Sequence, residues 1–441
     1  MTRKVPSFWI LLLVLVGVSL WASPLRAQRV YIDINQPSFE QMPVAIPEFK
    51  RQNEQQPRYA GELSGMLGNA LDSSGIFRIL DPRGFLGDPQ GIGVELNTIR
   101  FDDWRRLGAD FLVRGQYRVE GDQLALEMRL FDAVAGRTVV GKLYTGSQGE
   151  RRRMIQRFAD EILFAITGER GNFGTRIAFV QQQGKDREIY LVDFDGSNPV
   201  PLTQDHGINL SPAWHPSGNK IVYVGFQGRH TKLFAIDVGS GSRRVLAEYP
   251  GLNAAAAWRP GHGELAATLS MGGNPDIYLL NESGGVVRQL TKGWSIEVSP
   301  CWSPDGNRLA YVSSETGNPQ VYVLEVAGGS SRRITFQGTY NTDPAWSPKG
   351  DLIAYTGQAH GAFQIFVIRP DGSGNRQLTS GAGNNESPTW SPDGRLIAFS
   401  SDREGSRAIW VTVVNGQGLR RLTHLGGEQR MPDWSPRTTE K

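Results

Sequence analysis

Six polar side chains recur at one phase of this 441-residue chain and are its most regular candidates for chemistry. Each stands five residues before a tryptophan: Asn209, Asn253, Glu297, Asn341, Asn385 and Gln429. Amide and carboxylate groups arranged in a ring can hydrogen-bond a peptide backbone or coordinate a hydrated cation. Asn also favours turns in which its side chain bonds only the local backbone. The sequence leaves both interpretations open.

The residue patterns of common hydrolases and metalloenzymes are missing from the sequence. It contains no Gly-x-Ser-x-Gly and no His-Glu-x-x-His, and its six histidines do not recur at one phase of the repeat. Gly91-Ile-Gly93 lacks the third glycine of a dinucleotide fingerprint. The single cysteine, Cys301, stands where other repeats have alanine or threonine, which predicts a buried packing residue. We therefore predict no catalytic site, no cofactor and no metal beyond a cation held by the polar ring.

Charge identifies no partner class. Lys and Arg number 47 against 44 Asp and Glu, so the sequence does not indicate nucleic-acid binding. The densest basic run, Arg151-Arg152-Arg153, is interpreted as a solvated helix face.

The elements that must position the polar ring follow from the tryptophans, which recur every 44 residues. They are Trp214, Trp258, Trp302, Trp346, Trp390 and Trp434. A repeat of this length, made of short apolar runs separated by Gly-rich turns, predicts a β-propeller in which each period supplies one four-stranded blade. We therefore expect six blades, with the tryptophans packed between neighbouring blades and the ring at the mouth of the axial channel.

Turn chemistry and phase complete this prediction. Trp302-Ser-Pro-Asp-Gly306 and Trp390-Ser-Pro-Asp-Gly394 place Pro, Asp and Gly where a tight turn needs them. The first repeat begins just after the position of the tryptophan-containing strand, and the last repeat ends on such a strand. The strand of Trp434 must therefore pair with residues 176–204. This pairing closes the ring and leaves no free edge.

The chain before the propeller has another organisation. Arg3 and Lys4 followed by the apolar stretch Phe8 to Trp21 predict a secretory signal peptide over residues 1–27, with export to the periplasm. Residues 28–170 predict an α+β domain with helices at 58–74 and 150–166 and strands at 77–80, 111–119, 123–131 and 138–144. The six-bladed propeller then occupies residues 171–441.

At this point the chain resembles the TolB family, the periplasmic components of the Tol-Pal envelope system of Gram-negative bacteria. The resemblance rests on the order of exported precursor, α+β domain and six WD40-like repeats. It also rests on the runs Gln28-Arg-Val-Tyr-Ile-Asp-Ile34 and Met42-Pro-Val-Ala-Ile-Pro47. Membership would imply a non-enzymatic protein-protein interaction scaffold that supports outer-membrane integrity and envelope constriction during cell division.

The resemblance implies two binding surfaces. The start of the mature chain would bind TolA through Gln28, Arg29, Val30, Tyr31, Ile32, Asp33, Ile34 and Asn35. The channel mouth would bind the lipoprotein Pal, and colicins would exploit the same surfaces. Mapped onto this chain, the mouth comprises Asn209, Leu252, Asn253, Ala255, Glu297, Val298, Asn341, Thr342, Asn385, Glu386, Gln429 and Arg430.

Two other functions stay open at the level of sequence. One is a propeller enzyme of the lactonase type that holds a metal with the Asn/Glu ring. The other is a periplasmic adaptor unrelated to Pal.

Overall fold

The computed structural model describes residues 40–228 and 230–437. The predicted signal peptide and the predicted TolA-binding segment, residues 28–35, lie outside these residues. No helix of the described part has the length and apolar character needed to cross a bilayer.

The α+β domain is built on a six-stranded sheet. In chain order its elements are β1 (Met42–Ala45), β2 (Lys50–Arg51), α1 (Tyr59–Ser73), β3 (Phe77–Ile79), α2 (Phe101–Arg106), β4 (Phe111–Glu120), β5 (Gln123–Asp132), β6 (Arg137–Ser147) and α3 (Arg151–Thr167). Single 3-10 turns occupy Pro82–Gly84, Leu96–Thr98 and Gln148–Glu150. The strand order is β3-β1-β4-β5-β6, with β2 also pairing with β4. The two helices and four strands predicted from sequence periodicity are thus confirmed to within three residues at each end, whereas β1, β2 and α2 were not predicted.

Six four-stranded sheets follow. The blade that closes the ring begins with β7 (Arg176–Gln183), β8 (Asp186–Asp193) and β9 (Val200–Pro201). The first blade contains β10 (Asn209–Trp214), β11 (Lys220–Gln227), β12 (His230–Asp237) and β13 (Arg243–Ala247). The second contains β14 (Asn253–Trp258), β15 (Glu264–Leu269), β16 (Asp276–Asn281) and β17 (Val286–Gln289), and the third β18 (Glu297–Trp302), β19 (Arg308–Ser313), β20 (Gln320–Glu325) and β21 (Ser331–Arg333). The fourth contains β22 (Asn341–Trp346), β23 (Ile353–Ala359), β24 (Ala362–Ile368) and β25 (Arg376–Gln377), and the fifth β26 (Asn385–Trp390), β27 (Leu396–Ser401), β28 (Ala408–Val413) and β29 (Arg420–Arg421).

The last strand, β30 (Glu428–Trp434), belongs to the blade that began with β7. It pairs antiparallel with β7, and Trp434 lies opposite Ile177. The prediction that the C-terminal Trp strand closes the ring is therefore confirmed. The sixth blade combines the two ends of the propeller sequence, so neither is left as a free edge.

The repeated tryptophans pack between blades, as the sequence predicts. All six are buried, with 5–7% of their surface exposed. The indole N–H of Trp302 donates to the Ala257 carbonyl of the preceding blade at 3.1 Å, and that of Trp390 donates to Ala345 at 2.9 Å. A buried Trp removes about 150–250 Å² from water, an upper-bound contribution of about 4–6 kcal/mol. The tryptophans therefore hold the scaffold.

Candidate functional site

The six polar residues of the predicted ring are buried where the inner strands of the blades begin. Their exposed fractions run from 0% for Asn253, Asn385 and Gln429 to 5% for Glu297. The position predicted for them along the strand is therefore confirmed. Their side chains are not presented to solvent, which corrects the expectation that all six line an accessible mouth.

Most of these side chains join neighbouring blades. The Asn341 amide donates to Gln320 Oε1 of the preceding blade at 2.8 Å, and also to the Gln337 carbonyl at 2.9 Å. Asn385 repeats the first contact with Gln364 Oε1 at 2.9 Å. Asn253 donates to the Thr231 carbonyl of the first blade at 3.0 Å. The bond to the Gln337 carbonyl fits the local-bonding interpretation of the ring. The bonds to the preceding blade give these buried amides a structural role that the sequence analysis did not predict.

Glu297 is the only carboxylate of the ring. It accepts hydrogen bonds from the hydroxyls of Ser295 at 2.5 Å and Ser313 at 2.9 Å. Burial raises the pKa of Glu297, and the two hydroxyls oppose that shift. Across residues 40–228 and 230–437, no three or more His, Cys, Asp or Glu side chains come together as a group that could hold a metal ion.

Among the residues that line the channel, six stand two positions after the ring residues. Their backbones adopt positive φ angles of 36–55°, and the register of the inner strand shifts beside them. They are Ser211, Ala255, Ser299, Asp343, Ser387 and Met431. Such a bulge turns a side chain away from the regular alternation of a strand. Sequence reasoning selected only Ala255, although five of the six precede a proline at a fixed phase.

The channel encloses about 740 Å³ and is lined mainly by small, proline and tryptophan side chains. Its charged lining residues are Asp343, Asp433 and Arg437. Burial raises the pKa of Asp343, although hydroxyls of Ser387 and Thr356 bond it. Burial also raises the pKa of Asp433, to about 7.

Cys301 also lines this channel. The residue is half-buried and packs against the core of the third and fourth blades, so its predicted packing role is confirmed and its predicted burial is only partial. The Cys301 sulfur accepts the backbone N–H of Trp346 at 3.1 Å, and burial raises the pKa of the thiol to about 11. A thiol with so high a pKa is a poor nucleophile at neutral pH.

Several large exposed apolar side chains stand at the end of the propeller where the inner strands begin. Trp294 is 97% exposed and Phe336 71% exposed, and both stand on loops that lead into inner strands. Ile296 and Tyr340 stand on the same two loops. Met271 follows β15, whose end lies opposite Asn253 at the start of β14. We call these five residues the apolar mouth patch. Sequence analysis did not select these residues.

The fifth and sixth blades carry charge at the same end. Arg407 pairs with Glu386 and lies 3.2 Å from Asp402. Arg403 donates to the Asn385 side chain at 2.6 Å and covers the Trp410 ring. Burial lowers the pKa of both arginines. The remaining side chains of the predicted mouth are partly exposed: Leu252, Ala255, Val298, Thr342, Glu386 and Arg430.

Comparison with known proteins gives consistent matches across the described chain. A family model described as the TolB beta propeller domain matches residues 164–438, and one described as the TolB amino-terminal domain matches residues 30–139. A solved structure of TolB from Acinetobacter baumannii superposes with a TM-score of 0.80 at 25% identity, covering 90% of this chain and 97% of that one.

Curated relatives match over shorter segments. The Tol-Pal system protein TolB of Desulfosudis oleivorans is 41% identical over 209 residues, and that of Syntrophus aciditrophicus is 39% identical over 217 residues. Each alignment covers 47% of this chain and 48% of the relative, so the chain spans about half the length of the curated relatives it matches.

Proposed function

The chain belongs to the TolB family, and on that premise we propose that it is a non-enzymatic component of a Tol-Pal system. It would act in the periplasm, after removal of a signal peptide over residues 1–27, and would need no cofactor. Its role would be to support outer-membrane integrity and constriction of the envelope during division. Residues 28–170 and 171–441 would form its two domains.

The apolar mouth patch carries this proposal. Five large apolar side chains exposed on one end of a propeller are costly to keep in water, and such clusters mark protein-protein contacts. The neighbouring arginines and carboxylates of the fifth and sixth blades supply the polar part that a specific interface also needs. Trp and Arg are the residue types that dominate binding energy when a partner covers them. We propose Pal as the partner at this surface.

A binding measurement tests the Pal assignment. We expect Trp294→Ser and Phe336→Ser each to weaken binding of purified Pal by at least about tenfold, the loss expected for a truncated hot spot. Leu143→Ser is the matched control, because Leu143 is 66% exposed but lies on β6 of the other domain. If the wild type and the three variants bind Pal with equal affinity, the apolar mouth patch is not the Pal-binding surface.

We further propose that residues 28–35 bind TolA. Val30, Ile32 and Ile34 alternate with other residues, so the segment could add as a strand to a partner's sheet edge. A synthetic peptide of residues 28–35 should bind TolA, whereas a peptide of the same composition in scrambled order should not. If the scrambled peptide binds equally well, the segment has no sequence-specific role.

The two partner sites are proposed to be coupled. If Pal at the mouth biases the exposure of residues 28–35, each partner must alter the other's affinity by the same factor. Calorimetric titration of TolA into the protein with and without Pal measures that factor, and identical affinities would show that the sites are independent. Colicins that use the same surfaces should compete with Pal or TolA in this assay.

A different measurement distinguishes the proposed adaptor from a metal-dependent enzyme of the lactonase type. Elemental analysis of the purified protein together with a pull-down from envelope extract distinguishes a metalloenzyme from an adaptor. Stoichiometric bound metal with turnover of a lactone would overturn the non-enzymatic proposal. Capture of envelope proteins other than Pal and TolA would favour the unrelated adaptor.

A further inference from the structure

A cleft of about 680 Å³ opens between the second and third blades. One wall is the loop of residues 290–295, which leads from the second blade into the third and carries Trp294 of the apolar mouth patch. The opposite wall belongs to the third blade and includes Tyr311 of β19, the turn at 314–317 and Ser331 of β21. The volume lies within the usual range of ligand pockets, about 300–1,000 Å³.

A tyrosine hydroxyl bonds the outer part of its own blade in three of the six blades. The Tyr311 hydroxyl lies 2.6 Å from Ser331 Oγ in the third blade. The equivalent contacts join Tyr223 to Arg243 at 3.4 Å in the first blade and Tyr355 to Asn375 at 2.8 Å in the fourth. Each pair is 20 residues apart in sequence, so the three contacts occupy one position of the repeat.

In the first and fourth blades the same outer residue also reaches the loop that enters the blade. Arg243 Nη1 donates to Asp205 Oδ2 on the loop before β10. Asn375 Nδ2 donates to Gln337 Oε1 at 3.0 Å on the loop before β22. The two partners are 38 residues apart in both cases. A side-chain bridge therefore closes the cleft at these two places.

The third blade lacks this bridge. Its residues at the two phases are Gly293 and Ser331. The Ser331 hydroxyl bonds Tyr311 and no other side chain of the described residues, and Gly293 has no side chain to offer. A Cβ built at Gly293 would meet nothing nearer than Ser295 Oγ at 3.6 Å. The place that a bridging pair fills in the first and fourth blades is therefore open here.

The charged side chains that line the cleft favour a cation. They are Glu297, Glu315 and Lys292. Glu297 Oε1 accepts bonds from two serine hydroxyls, whereas its Oε2 accepts none from the described residues and is not fully enclosed. Burial raises the pKa of Glu297, and the charges of Asp276 and Glu315 raise it further. A positive group placed among these carboxylates would relieve their mutual repulsion.

We propose that the cleft between the second and third blades binds an arginine side chain on an extended peptide of a partner protein. The guanidinium would take the place that Arg243 fills in the first blade, beside the Tyr311 hydroxyl and the lining carboxylates. Its planar fork of N–H donors suits hydroxyl and carboxylate acceptors. The Arg243 guanidinium also lies over the Phe234 ring, 5.5 Å from its centroid. Trp294, which is 97% exposed, offers an aromatic face of this kind to an incoming arginine.

The lining favours an arginine within a peptide over the free amino acid. Free arginine would bring its own carboxylate close to Glu297 and Glu315, where like charges repel, whereas a peptide has an uncharged amide at that position. Gly317 and Gly329 also line the cleft, and nothing lies within 4 Å of a Cβ built at either residue. The backbone of a peptide therefore has room beside the bound side chain.

Titration of the full mature chain with N-acetyl-L-arginine amide, followed by saturation-transfer NMR, tests the site. Binding of this capped arginine should saturate. N-acetyl-L-citrulline amide has the same shape without the charge, and it should bind at least about tenfold more weakly because a charge-assisted hydrogen bond is lost. Free L-arginine should also bind more weakly than the capped form.

Three variants locate the binding. Ser331→Arg places a guanidinium of the chain itself beside Tyr311 and should weaken binding of the capped arginine by at least about tenfold. Ser330→Arg is the matched control, because it adds the same charge at the neighbouring exposed residue and should change the affinity by less than about twofold. Gly293→Asp adds the carboxylate that Asp205 provides in the first blade, and should strengthen binding by about two- to fivefold.

The proposal is overturned if the capped arginine does not saturate, if citrulline matches arginine, or if Ser331→Arg and Ser330→Arg bind alike. Failure of Gly293→Asp to strengthen binding would also overturn it. Binding of free arginine alone would identify the ligand as the amino acid and not a peptide. Phe336→Ser, which is expected to weaken Pal binding, should leave the affinity for capped arginine unaltered, so the two proposals are tested separately.

Discussion

The carboxylate of Asp433 accepts the backbone N–H of Trp214 at 2.7 Å, although the two residues are 219 positions apart. The contact joins the last strand of the propeller to the first complete blade. The Trp214 indole N–H also donates to the Asp433 carbonyl at 3.1 Å. One residue thus ties the sixth blade to the first through its side chain and its backbone.

The position of Asp433 predicts how stability depends on pH. Burial raises its pKa from the ordinary 3.8 to about 7, so between these values the folded state binds more protons than the unfolded state. The contribution of Asp433 to the free energy of unfolding therefore falls as pH rises from about 4 to 7, by an amount on the order of a few kcal/mol. Asp433→Asn should remove this slope, measured as free energy of unfolding against pH. A variant with the slope of the wild type would contradict the assignment to Asp433.

Truncation of two tryptophans should change the free energy of unfolding by very different amounts. Trp434→Ala should lower the free energy of unfolding by about 3–5 kcal/mol because its side chain is buried at the ring closure and donates to Thr175 at 2.9 Å. Trp294→Ala should change it by less than about 0.5 kcal/mol because the side chain is 97% exposed. Denaturant titration measures both. Equal effects would argue against the packing described for the repeat.

Substitution of Asn341 distinguishes a structural role of the polar ring from a role in partner binding. Asn341→Ala should lower the free energy of unfolding by about 1–3 kcal/mol because the Gln337 carbonyl loses its amide donor. Thr342→Ala, at the next and partly exposed position, should change it by less than about 0.5 kcal/mol. If Asn341→Ala abolished partner binding while stability stayed unchanged, the direct-contact interpretation would be restored.

Two glycines of the α+β domain should respond with opposite signs to alanine. At Gly115 an added Cβ would stand 2.6 Å from the buried Phe49 ring, so Gly115→Ala should destabilise by about 1–3 kcal/mol. At Gly65, inside α1, nothing stands within 4 Å of the added Cβ, so Gly65→Ala should stabilise by about 0.5–1 kcal/mol. Thermal unfolding of the two variants side by side makes the comparison. Destabilisation by Gly65→Ala would show that the helix has no room for the methyl group there.

Much of the fold was predictable because its signals are local and repeated. The 44-residue period, the Pro-Asp-Gly turns and the phase of Trp434 fix the number of blades and the way in which the ring closes. The two long helices and four of the strands of the α+β domain were also readable from apolar periodicity, whereas the short elements β1, β2 and α2 were not. The candidate site was less predictable, since the same repeat that located Asn341 and its equivalents could not say whether those side chains face water or the next blade.

The sequence by itself therefore determined the family, the propeller and the order of its elements, because backbone hydrogen bonding and apolar periodicity act over a few residues. Only the tertiary structure decided which side chains are available. A β-bulge at Ser211 and its equivalents turns those residues into the channel, while Asn209 and its equivalents are enclosed by the preceding blade. Arg395 of the fifth blade likewise donates to Glu169, which follows α3 and is 226 positions away. Contacts across such distances in sequence leave no local pattern to recognise.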